Sequence, residues 1–124
     1  DLAKYQAACD KAGLKVFSIY CSAKVHKNGW TFDPVILDAI ARLKGTDAIV
    51  ELNVQRGEDP QEGHAVTLVQ HIAAKAKDAG LKVILYPHFN DQIERVDQAL
   101  RIAKASACDN VGVAFNLCHF LKVQ

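Results

Sequence analysis

No apolar run in this sequence approaches the roughly 18 residues that a membrane-spanning helix needs, so no membrane partner is expected. The basic residues are scattered and the formal net charge is only +1, so there is no stripe for a nucleic-acid backbone and no nucleic-acid partner is expected. The four cysteines, Cys9, Cys21, Cys108 and Cys118, form no C-x-x-C pair, which argues against a zinc ribbon. They read as free thiols, mostly buried as small apolar side chains. Half of the residues are hydrophobic, enough for a core that needs no disulfide staple. No signal peptide is visible, but the chain opens at Asp1 rather than at a methionine. A removed leader therefore stays open, and with it both a cytoplasmic and a bacterial periplasmic location.

What is present is a regular alternation over 124 residues, the length of one domain or part of one. Residues 1–12 read as a helix stopped by Gly13, and LKVFSIYC, 14–21, as a strand. A polar loop, SAKVHKNGWTF, leads to Asp33-Pro34, an N-cap followed by a proline suited to a first helical turn. The helix that follows places Ile36, Leu37, Ile40 and Leu43 on one face and stops at Gly45. DAIVELNV, 47–54, is the second strand, and Asp59-Pro60 opens a longer helix to Ala79. Residues 81–88 are the third strand, 91–106 the fourth helix and 110–116 the fourth strand.

The order α-β-α-β-α-β-α-β, with strands that look continuously apolar, predicts a parallel sheet covered on both faces. AGLKV occurs at 12–16 and again at 79–83, each time closing a helix and opening a strand, which favours a repeating β/α unit. Two architectures fit: a small open doubly wound sheet, or a fragment or half of a (β/α)8 TIM barrel. The segment after the first strand, CSAKVHKNG, is not the Gly-rich turn of a nucleotide-binding doubly wound fold, which favours the barrel. The chain also opens on a helix with no strand before it and closes on a strand with no helix after it. That pattern predicts a piece of something larger.

In parallel α/β folds ligands sit beyond the carboxyl ends of the strands. Those ends offer Tyr20 and Cys21; Glu51, Asn53 and Gln55; Tyr86 and His88; then Asn116, Cys118 and His119. Polar ends also form simply because strand ends reach water. Two histidines on successive strands are the better chemical signal, since a neutral imidazole both moves protons and binds metals. Glu51 is the only carboxylate late in a strand and reads as a base, a ligand or half of a rim ion pair. Cys118 and His119 are neighbours and would point to opposite faces of a strand, which disfavours a Cys–His nucleophile. His64 and His71 share a helix face without an H-E-x-x-H pattern and read as surface residues. Trp30 reads as a lid or stacking platform, or as ordinary loop packing.

Residues 79–122, through LYPHFNDQIERVDQAL and then Asn110, Gly112, Val113, Asn116 and His119 in an N-x-G-V-x-(D/N)-x-x-H pattern, resemble the sugar phosphate isomerase/epimerase family of xylose isomerase-like TIM barrels. The resemblance is weaker over 1–78. It implies a small-molecule carbohydrate substrate, interconverted by acid/base proton transfer, with a divalent metal (Mn, Mg, Co or Zn) held by carboxylates and a histidine. The family's glutamate falls at Tyr86 and its aspartate at Asn116, so both anionic ligands are replaced. Hard divalent cations prefer carboxylate oxygen, which leaves His119 as the best remaining metal candidate. On this reading His88 and His119 are the acid/base pair, while Glu51, Tyr86, Asn116 and Trp30 line the substrate. The alternatives are a carbohydrate-binding module without turnover and a structural half-barrel. A half-barrel would leave an apolar sheet face that a second copy, or the missing remainder of the barrel, would cover.

Overall fold

The computed structural model describes residues 2–123, so Asp1 of the expected first helix lies outside the described residues. In chain order the elements are α1 (Leu2–Lys11), β1 (Ser18–His26), β2 (Gly29–Phe32), α2 (Val35–Arg42), β3 (Ile49–Arg56), α3 (Glu62–Asp78), β4 (Lys82–Leu85), α4 (Val96–Ser106), β5 (Val111–Val113) and α5 (Leu117–Val123). Strands β1, β3, β4 and β5 pair in parallel in sequential order, and β2 lies antiparallel on the outer edge of β1. This is an α/β fold with a mostly parallel sheet.

The AGLKV repeat has a structural cause. Gly13 and Gly80 both adopt positive φ, +69° and +76°. After each, a leucine N–H reaches back into the last helical turn: Leu14 N to Cys9 O at 2.8 Å and Leu81 N to Ala76 O at 2.8 Å. The glycine N–H groups bond to Asp10 O and Lys77 O. This is the double bond pattern that satisfies orphan carbonyls where glycine ends a helix. The repeat is thus a repeated helix stop, and the leucines diverge beyond it: Leu81 is buried and Leu14 exposed.

Two elements were not expected. The polar stretch 22–32, read as a loop, is the far half of β1, a reversal at Lys27 and Asn28, and β2, with Val25 opposite Trp30 and His26 opposite Gly29. The signal is the alternation Ser22-Ala23-Lys24-Val25, period 2 from one residue type to the next. Gly57 sits against this hairpin so closely that a Cβ there would lie 2.7 Å from Val25 O. The second addition is α5, which follows β5 where a terminal strand was expected.

The expectation of strands buried on both faces does not hold. On β1 the buried side chains are Cys21, Ala23 and Val25; their neighbours Tyr20, Ser22 and Lys24 are exposed. The covered face continues through Val50, Leu52, Val54, Val83 and Leu85, packed with Ile36, Ile40, Leu68, Ile72 and Ile102 of α2, α3 and α4. Pairing in register places Tyr20, Ser22 and Lys24 beside Glu51, Asn53 and Gln55, with Ile84 beside Glu51. The open face is therefore polar and aromatic, not the apolar patch that a bare half-barrel would show. The C-terminal halves of SIYCSAKVH and IVELNVQR carry this alternation, hidden by their apolar beginnings.

Candidate functional site

The segment after β4 folds over the end of β3. Tyr86 N donates to Leu52 O at 2.9 Å, and Gln92 N to Val54 O at 2.9 Å, so both flanks of residues 86–92 are tied to the same strand. His88 N closes the loop on Ile93 O at 3.0 Å, and Asn90 at its tip takes positive φ, 70°. On the next strand Ala114 N continues the ladder to Leu85 O. The chain then turns into α5 at Asn116. The Asn116 side-chain oxygen accepts His119 N at 3.2 Å, and its carbonyl accepts Phe120 N at 2.9 Å, which is N-cap geometry. The expected strand 110–116 is cut short because Asn116 starts a helix.

This brings together the two histidines that the sequence singled out. The His88 and His119 rings lie with centres 4.0 Å apart and planes inclined by 41°. Tyr86 meets His119 edge-on at 6.0 Å, and Tyr20 meets Tyr86 edge-on at 5.4 Å. Asn116 Nδ2 donates to the Tyr86 hydroxyl. Both ends of the Asn116 amide are thus engaged, one on Tyr86 and one on α5, so Asn116 acts on the site by holding its walls. Glu51 lies on the open face between Tyr20 and Ile84 and forms no hydrogen bond or ion pair among the described residues. Cys118 is exposed on α5.

Trp30 is elsewhere. Its Nε1 donates to Thr67 Oγ1 of α3 at 3.1 Å, and its ring stacks with Phe32 at 5.6 Å and packs on His71 at 5.0 Å. It shares the covered side with Val25, its cross-strand partner, and cannot act as a lid over the open face. His71 and His64 are accordingly half-buried packing residues, not free surface ones. His64 Nδ1 contacts His26 O at 3.0 Å.

The residue that sequence reasoning missed is Asp91. Its Oδ2 accepts Asn53 Nδ2 at 2.6 Å and lies 3.3 Å from His88 Nδ1. Ser22 Oγ in turn donates to Asn53 Oδ1 at 3.3 Å. A chain Ser22–Asn53–Asp91–His88 therefore crosses from β1 to the rim. The only signal in the sequence is the H-x-x-D spacing of His88 and Asp91 across a tight loop. Arg56 fixes the same loop by donating to Asp91 O at 3.2 Å.

Electrostatics follow the packing. The His119 ring is held below the ordinary histidine pKa, first by burial and then by the neighbouring His88 and Lys122. Tyr20 is pushed up by burial and by the negative groups of Asp91 and Glu51 and the neighbouring Tyr86. Burial also raises the Cys21 thiol to about 11, which makes it an inert core group. Cys9 and Cys108 are half-buried, so Cys21 alone of the four thiols is buried, fewer than expected.

A cavity of about 300 Å³ lies between α5 and the start of α4, lined by Arg95, Asp97, Phe120 and Val123 among others, and holds neither histidine. A cavity of about 340 Å³ lies at the opposite ends of the strands, lined by Asp10, Lys15, Thr46 and Asp47 among others. It holds no histidine and sits where parallel sheets do not place ligands. Among the described residues no three His, Cys, Asp or Glu side chains gather in a way that could hold a metal ion. No described helix is long and apolar enough to cross a membrane. Compared with known protein families, with curated proteins and with solved structures, the chain matches none. Fold and rim together define an α/β protein with paired imidazoles at the carboxyl ends of a parallel sheet.

Proposed function

We propose that this chain acts on a small carbohydrate, isomerising or epimerising it by general acid/base proton transfer, as in the sugar phosphate isomerase/epimerase family that residues 79–122 resemble. The observation that carries the reading is the contact between His88 and His119 at the carboxyl ends of β4 and β5. Asp91 backs His88, and Tyr86, Glu51 and Tyr20 line the approach on the open face. Proton transfer by a positioned imidazole contributes on the order of 10²–10⁴-fold to a rate. His88→Ala and His119→Ala are each expected to lower sugar turnover about 100-fold or more with the fold retained by circular dichroism. Unchanged turnover in both variants defeats the assignment.

The family's divalent metal does not suit these side chains. Tyr86 and Asn116 stand where its carboxylates belong, their polar ends bond to each other, and Asp91 is engaged by Asn53. Hard cations require several oxygen ligands, and Glu51 alone is a carboxylate left unbonded here among the described residues, with no third ligating side chain beside it. The missing carboxylates also favour a second reading, a carbohydrate-binding module without turnover; calorimetric sugar binding with no product would establish it.

We also propose that the sequential parallel order belongs to part of a (β/α)8 barrel, closed by a second copy or by further β/α units. In support, α1 and α5 at the two flanks bury no residue fully. Tyr5, Leu14 and Phe17 are exposed near one, and Phe115, Leu117 and Leu121 near the other. If a second copy covers them, light scattering reads a dimer; a monomer rejects that copy as the cover.

A further inference from the structure

We infer that His88 and His119 serve one face of the substrate, so that the chain shifts a proton between adjacent carbons of a hydroxy-carbonyl sugar and does not invert a carbon between two opposed bases. The inference rests on the proton-transfer reading above and concerns which proton transfer the rim can perform. Two groups that flank a sugar carbon each need a van der Waals contact of about 3.5 Å with it, hence a separation near twice that. The two rings are centred 4.0 Å apart, so nothing fits between them. Asp91 is not an opposed base either, since its Oδ2 accepts Asn53 Nδ2 and faces His88 Nδ1.

The protons on the two rings are set by Phe89 and Asp91. His88 Nδ1 lies 2.9 Å from Phe89 O and 3.3 Å from Asp91 Oδ2. Both are acceptors, so Nδ1 carries a proton, and in the neutral ring Nε2 keeps its lone pair. His119 Nδ1 accepts the Phe89 N–H at 3.4 Å, so its proton sits on Nε2. The Phe89 carbonyl thus faces one ring and its N–H the other. No hydrogen bond to either Nε2 occurs among the described residues, which leaves one acceptor and one donor side by side.

That pair suits a 2-hydroxyaldehyde and its hydroxyketone. His88 Nε2 takes the proton from the carbon that bears the hydroxyl, while the His119 Nε2–H bonds the adjacent carbonyl oxygen. The electron pair of the broken C–H bond becomes the C=C bond of an enediol, and the carbonyl π pair takes the proton handed over by His119. His119 Nε2 then takes the proton of the neighbouring hydroxyl. His88 returns its proton to the former carbonyl carbon, on the same face. Protons and electrons balance without a co-reactant. A neutral imidazole as the oxygen-side donor is established chemistry.

Two measurements test this. Nitrogen-15 NMR of the histidine-labelled protein at pH 8 is expected to show His88 protonated on Nδ1 and His119 on Nε2; the same tautomer in both rings overturns the inference. The protein is then incubated in D2O with free aldo- and ketopentoses and hexoses and with their terminal phosphates. The expected result is aldose–ketose interconversion, with deuterium entering at the carbon that gains the proton and without a C2 epimer of the starting aldose. Epimer formation without isomerisation overturns the one-face inference and leaves the proton-transfer reading standing. Absence of any turnover across the panel overturns both.

Discussion

His119 is half-buried against a second imidazole, and both circumstances disfavour its protonated form. As pH falls through the ordinary histidine range, the unfolded chain binds this proton before the folded one does. The stability contributed by a neutral His119 is therefore complete above that range and is lost as pH drops towards the lowered folded value. Urea midpoints measured from pH 8 to pH 5 should fall more steeply for the wild type than for His119→Gln. Identical pH profiles would contradict the burial argument. Asp91 shows the limit of reading chemistry along a strand: it sits in a loop, and only the fold of residues 86–92 over β3 brings its carboxylate to His88 and Asn53. Trp30 shows the converse, an aromatic residue whose place beside a polar loop suggested a lid and whose cross-strand partner Val25 commits it to the core side.

Helix ends were the most legible elements, because glycine and proline act locally. The Gly13 and Gly80 stops stand where the repeated AGLKV implied, and Asp33 bonds Val35 N at 2.9 Å at the start of α2. The Asp59-Pro60 signal is displaced: α3 opens at Glu62 after Gln61, and Asp59 takes positive φ, 43°. Helix α4 ends without a glycine, on Ala107 in the left-handed region at φ 53°. A Cβ there is disfavoured by roughly 1–2 kcal/mol, while glycine costs somewhat more unfolded-chain entropy. Ala107→Gly should stabilise the protein by about 0.5–1 kcal/mol in urea unfolding, and a destabilised variant would refute the cap geometry. The hairpin and α5 were missed because short elements are decided by partners: the far half of β1 pairs with β2 on one side and β3 on the other, and Asn116 caps α5 by accepting His119 N.

Across the whole molecule the sheet order is what joins the functional residues, since sequential parallel strands align their carboxyl ends along one rim. Asn110, part of the motif that suggested a carbohydrate enzyme, works at the other end of β5. Its Nδ2 donates to Ala73 O at 2.9 Å and Leu81 O at 3.2 Å, tying α3, β4 and β5 together. Asn110→Ala should therefore cost about 1–2 kcal/mol by the loss of two hydrogen bonds. Circular dichroism melts would read this as a lower midpoint, and an unchanged midpoint would remove Asn110 from the framework. Gly112 in the same motif meets only Ile84 Cγ2, at an ordinary 3.6 Å, and has no such structural demand.

The sequence by itself determined the α/β class, the helix stops and the presence of His88 and His119 near adjacent strand ends, because each depends on interactions within a few residues of the chain. Tertiary structure alone decided which strand faces are covered, that Trp30 leaves the site, that Asp91 enters it, and how far apart the imidazoles lie. Those outcomes depend on register and on loops crossing strands, where one residue of shift exchanges one face for the other. For LYPHFND and FNLCH the sequence supplied two histidines, and the packing of α5 against the 86–92 loop set them 4.0 Å apart.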